Sequence, residues 1–114
     1  MKKRHHVNLG EIARSATGRE GAIWTLEAGR DLNANLVRFE AGAGVGEHVN
    51  DEVDVLIVGV SGTGLVGVGG EEHAVAKGDA VFVPRGSLRY TRAVSDGFAY
   101  LSVHRRRGPL RIVG

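Results

Sequence analysis

Cysteine is absent from the 114 residues, which removes disulfides, thiolate metal sites and thiol nucleophiles together. Proline occurs only twice. The longest apolar run, VLIVGV at 55–60, is far short of the roughly 20 residues that cross a bilayer as a helix. The basic start MKKRHH is not followed by the apolar stretch of a secretory signal, so the chain is expected to be cytoplasmic and to have no membrane role. Aromatic residues are few, with one Trp, two Tyr and three Phe. Neither an aromatic stacking platform nor a helix-turn-helix pattern is visible, and a nucleic-acid partner is not expected.

Glycine is what the chain has in excess: 18 residues, about twice the usual share of roughly 7%. With so little proline, this favours many tight turns over disorder. The length suits one compact domain. The net charge of +2 hides an asymmetry, because Lys2, Lys3, Arg4, Arg105, Arg106, Arg107 and Arg111 stand at the ends and leave eight basic against thirteen acidic residues between 5 and 104. The body is acidic, and the basic ends read as solvated charge.

After about residue 20, short β-rich runs alternate with glycine turns. Strands are expected over 22–28, 33–40, 53–60, 64–68, 73–76, 80–84, 88–94 and 98–104, with AGAGVG, SGTG, GG, KGD, PRG and SDG between them. Close strand spacing without interleaved helices predicts an antiparallel sandwich or barrel. Only LGEIARSA, 9–16, could form a helical turn or two. Gly69-Gly70 suits a two-residue hairpin, since primed turns require positive φ, and Pro84 with Gly86 suits a turn just after a strand. GAGVG reads as a flexible lead into the strand that carries His48.

Two spacings carry the chemistry. Gly42, His48, Asn50 and Asp54 are separated by five, one and three residues, and Gly62 follows. Gly78, Pro84, Gly86 and Arg89 are separated by five, one and two residues within GDAVFVPRGSLR. These runs resemble the two motifs of the cupin family, whose ligand places are typically histidine, histidine and glutamate in the first motif and histidine in the second. The resemblance spans about 33–104. It implies an all-β fold, a double-stranded β-helix or jelly-roll barrel of antiparallel strands, over 21–104. Residues 1–20 would then be a basic lead-in and 105–114 a basic tail. It also implies pairing into a homodimer along a sheet edge.

Cupin metalloenzymes hold their ion with three histidines and a glutamate, and here only His48 keeps its family identity. Asn50 offers a neutral amide, a poor ligand for transition metals, and Asp54 is one methylene shorter than glutamate. Arg89 stays protonated and has no lone pair to donate. The expectation is a barrel without a metal cofactor, in which Arg89 pairs with Asp54. Strand alternation adds Asn35, Tyr100 and His104 to His48, Asn50, Asp54 and Arg89 as residues of a polar pocket. On the last strand, Phe98, Tyr100, Ser102 and His104 compete with Ala99, Leu101 and Val103 for the inward face.

The remaining candidates are weaker. His5 and His6 lack a third ligand, His73 reads as a solvent-facing strand residue, and Trp24 as packing over a sheet face or at a dimer contact. The favoured function is a small-molecule-binding or regulatory barrel in which Arg89 holds a small anionic ligand, oriented by His48, Asn50 and Asp54. One alternative is a metal-dependent enzyme of dioxygenase or isomerase type, with a divalent transition metal on His48, Asn50 and Asp54 completed by His104 or water. Another is a metal-free enzyme with His48 as general base and Arg89 polarising a carbonyl.

Overall fold

A computed structural model describes residues 5–27 and 31–107. The basic residues Lys2, Lys3, Arg4 and Arg111 lie outside the described residues. One short helix, α1 (Leu9–Ser15), precedes nine strands: β1 (Gly21–Thr25), β2 (Leu32–Phe39), β3 (Gly44–Val49), β4 (Val55–Ser61), β5 (Gly64–Val68), β6 (Glu71–Val75), β7 (Ala80–Val83), β8 (Leu88–Ala93) and β9 (Phe98–Arg105). They form two antiparallel sheets, in the orders β1-β2-β9-β4-β7 and β3-β8-β5-β6. The expected all-β jelly roll is the observed architecture, and eight of its nine strands fall where alternation and turn residues place them.

The ninth is β3. Its glycines read as punctuation, yet the strand begins at Gly44, beside the backbone of β8. A Cβ at Gly44 would lie 2.0 Å from the Thr91 carbonyl oxygen. Glycine here permits close approach of two backbones rather than flexibility. The ladder from Gly44↔Arg92 and Val45↔Thr91 resumes at His48↔Arg89 after a bulge. That bulge turns both Val45 and His48 inward, although they differ in parity.

Turn chemistry matches expectation at two places. Gly69 and Gly70 take φ of 57° and 90° between the paired Val68 and Glu71, the double positive φ of a tight hairpin. Gly86 has φ 83°, and the Ser87 N–H donates to the Pro84 carbonyl at 3.2 Å.

The two faces of the larger sheet have different roles. On the outside, Leu36 and Ala99 are buried beneath α1, with Leu9, Ile12, Ala13, Ile23, Trp24 and Val60 around them. Trp24 therefore packs over a sheet face. Asn8 caps the helix, its Oδ1 accepting the Glu11 N–H at 3.0 Å. Beside this contact the buried Arg38 donates from Nη1 to the Arg19 carbonyl (3.0 Å) and to Glu40 (2.9 Å), tying the segment after α1 to β2. On the inside, Val53, Val55, Ile57, Val66, Val75, Val83, Ala93, Phe98 and Tyr100 form the main core. Phe98, Val66 and Leu36 are wholly buried, and each such side chain contributes about 1.5–3 kcal/mol relative to exposure.

Candidate functional site

The inward face of β9 is the one carrying Phe98, Tyr100, Ser102 and His104. These residues stand directly across from Phe39, Val37, Asn35 and Asn33 of β2, and opposed residues of an antiparallel pair share a face. Ala99 lies on the other side, under α1. On the facing sheet, alternation along β8 sends Arg89, Thr91 and Ala93 inward. Between these surfaces lies a cavity of about 310 Å³, lined by Ala22, Asn35, Val37, Val45, His48, Ile57, Arg89, Tyr90, Thr91, Tyr100, Ser102 and His104. It occupies the part of the barrel between β1-β2-β9 and β3-β8, and the main core fills the part between β4-β7 and β5-β6. A buried hydrogen bond of 2.9 Å between the Thr91 and Tyr100 hydroxyls joins the two sheets at the border.

Five of the seven residues expected in the pocket line this cavity: Asn35, His48, Arg89, Tyr100 and His104. The other two do not, and the expected Arg89–Asp54 pair does not form. Asp54 lies between Val53 and Val55, each 1% exposed, so alternation turns the aspartate out to solvent. There its Oδ1 accepts the Arg85 N–H at 2.9 Å. Asn50 falls just past the end of β3, and its side chain shapes the following loop: Oδ1 accepts the Glu52 N–H (2.9 Å) and Nδ2 donates to the Val53 carbonyl (3.2 Å). The Asn50 carbonyl accepts the Gly86 N–H at 2.7 Å. Both motif residues thus fasten the 50–54 loop to the 84–87 turn at the rim.

Inside the cavity, Arg89 pairs with His48 instead. Its Nε donates to His48 Nε2 at 3.0 Å. The His48 Nδ1 lies 2.9 Å from the Gly46 carbonyl, which can only accept, so Nδ1 carries the ring proton and Nε2 supplies the lone pair to Arg89. In this arrangement the basic nitrogen of His48 is engaged with Arg89. The Arg89 Nη1 is buried without a hydrogen-bond partner. Burial lowers the Arg89 pKa, the Tyr100 hydroxyl raises it and the charge of Arg107 lowers it. Arg107 and Arg105 reach the rim from the end of β9, contacting the Glu52 carboxylate at 3.9 Å and its carbonyl at 2.9 Å respectively.

A bound metal does not fit these residues. Asp54 faces away, the His48 lone pair is taken by Arg89, and the guanidinium stands beside the imidazole where an ion would need a further donor. Among the described residues no group of three or more His, Asp or Glu side chains is placed to hold a metal ion. His73 is far from such a role: it lies on β6, 3.6 Å from Glu71, with its side chain 43% exposed. His5 and His6 are exposed.

Sequence reasoning passed over Thr91, Val45 and Ala22. Thr91 was accessible through its parity with Arg89. Val45 was not, because the bulge that turns it inward has no signal beyond the glycines, and Ala22 depends on a second irregularity, between Ala22 and Trp24.

The sequence profile of the cupin domain matches residues 35–104. The chain belongs to the cupin family. No curated protein sequence is a significant match to it. Among solved structures, this cupin is similar to KdgF from Halomonas sp., at 24% identity and a TM-score of 0.69 over 75% of this chain and 77% of that one. It is also similar to a cupin protein from Bacteroides fragilis, at 20% identity and a TM-score of 0.68 over 100% and 93%. A third likeness is to a protein with a double-stranded β-helix domain from Klebsiella pneumoniae, at 16% identity and a TM-score of 0.75 over 95% and 93%. At these identities the likeness establishes a shared fold. Among the described residues of this cupin, no helix is long and apolar enough to cross a membrane.

Proposed function

We propose that this cupin barrel binds a small anionic molecule without a transition metal, with Arg89 holding the anionic group. The observation that carries the reading is an uncompensated cation. The lining of the cavity contains no aspartate or glutamate, Arg89 spends its Nε on a neutral imidazole, and its Nη1 is buried without a partner. A half-buried charge whose Nη1 lacks a hydrogen bond is costly, and a carboxylate on the free edge of the guanidinium relieves both defects. The apolar walls Val37, Val45 and Ile57 suit a carbon body behind the anionic group.

The test is calorimetric titration with benzoate and its neutral isostere benzamide. Benzoate is expected to bind and benzamide to bind at least about tenfold more weakly, since hydrogen bonds to charged groups contribute about 1.5–3 kcal/mol. Arg89→Gln should remove the difference. Elemental measurement of protein purified without added metal is expected to find no stoichiometric transition metal. A metal in near-stoichiometric amount, or equal binding of both compounds, would overturn the proposal. The oligomeric proposal is a homodimer, supported by the apolar outer surface of the larger sheet at its β4-β7 end, where the paired Leu56 and Phe82 are 42% and 58% exposed.

A further inference from the structure

We infer that the ligand is a hydroxy acid, whose carboxylate meets Arg89 and whose hydroxyl donates to Nε2 of His104. This rests on the anion-binding reading above and adds a second recognition group to it.

The two histidines of the cavity hold the same tautomer for the same reason. His104 Nδ1 lies 2.8 Å from the Arg105 carbonyl, an acceptor only, so its ring proton sits on Nδ1 as in His48. Their second nitrogens differ. His48 Nε2 accepts from Arg89, whereas among the described residues no donor reaches Nε2 of His104. The ring lines the cavity, which leaves it a lone pair to offer to a ligand. A carboxylate has no proton to give it. Asn35 stands opposite Ser102 on the neighbouring strand, and its Oδ1 already accepts the Thr25 hydroxyl at 2.8 Å, so toward a ligand it offers chiefly N–H. The site therefore presents donors around Arg89 and Asn35 and an acceptor at His104. That pattern fits a molecule carrying one anionic acceptor and one separate O–H. An amine would also donate, but it would bring a second positive charge into a cavity that already holds Arg89 and is lined by no carboxylate.

The space sets the size. A cavity of about 310 Å³ stands at the low end of the roughly 300–1,000 Å³ of small-molecule sites, so it takes a small ligand, such as a one-ring or branched hydroxy acid.

The experiment compares two pairs of acids by titration calorimetry at neutral pH: phenylacetate with mandelate, and benzoate with 3-hydroxybenzoate. At least one hydroxylated member is expected to bind about tenfold more tightly than its parent. In His104→Leu the hydroxyl advantage should vanish, and the parent acids should keep their affinity within about twofold. His104→Gln, whose side-chain carbonyl can still accept, should retain part of the advantage. Hydroxylated and parent acids binding equally to the unaltered protein would overturn the inference and leave the anion reading standing. So would a His104→Leu variant that weakens both members of a pair alike. Failure of every acid to bind would overturn both.

Discussion

Burial pushes the Tyr100 hydroxyl above the ordinary tyrosine range, opposed in part by the hydrogen bond with Thr91 and the charge of Arg89. An unfolded tyrosine ionises near pH ~10, while the folded one keeps its proton to higher pH. The folded pKa is raised, so this contribution to stability is complete below about pH 10 and is lost as pH rises through the folded value. Tyr100→Phe should therefore flatten the alkaline fall in the urea unfolding midpoint. Tyr90 is shifted upward as well, through its hydrogen bond to Glu72, so the comparison is made in a Tyr90→Phe background that removes its contribution. An alkaline slope unchanged in Tyr100→Phe would contradict the assignment. At this scale the sequence was partly legible. Asn35, His48, Arg89, Tyr100 and His104 were found by motif and alternation together. Asp54 follows alternation rather than the motif: in the run Val53, Asp54, Val55, Leu56, Ile57 the odd positions are buried and the aspartate takes the solvent side.

Elements were easier to foresee than their irregularities. Alternating runs bounded by glycine specify strands locally, and the hairpin at Gly69-Gly70 follows from backbone sterics alone. Bulges arise instead from how two strands match each other, which the residues of one strand do not encode, and so the strand carrying His48 was foreseen but not its start at Gly44 or the inward turn of Val45. The rim shows a second dependence on partners. Asp54 joins the start of β4 to the turn after β7 through the Arg85 N–H. Asp54→Ala is expected to lower stability by about 1 kcal/mol, with Asp54→Asn recovering much of it, as read by denaturant titration. Benzoate affinity should stay within about twofold in both variants. A large loss of affinity would mean that Asp54 acts on the ligand.

At the scale of the whole molecule, alternation could say which residues share a face but not what covers that face. The exposed Leu56 and Phe82 on the outside of the larger sheet are residues that, on an unpaired barrel, would be expected to be polar. The joint variant Leu56→Lys and Phe82→Glu is expected to move the protein from dimer to monomer in light scattering, with its circular dichroism spectrum retained. A monomeric unaltered protein would refute the dimer. The overall division of the barrel was also beyond the sequence, since the Thr91–Tyr100 bond joins strands from opposite sheets. It has a consequence for how such a protein diversifies. The valine-rich part beyond it holds most of the core, and the chamber on the near side shares Ile57 and Tyr100 with it. Apart from these two, side chains in the chamber lie outside the main core, so exchanging them costs foldedness less than exchanging a core valine. A lineage built on this barrel can therefore change what it recognises while keeping the structure that does the recognising.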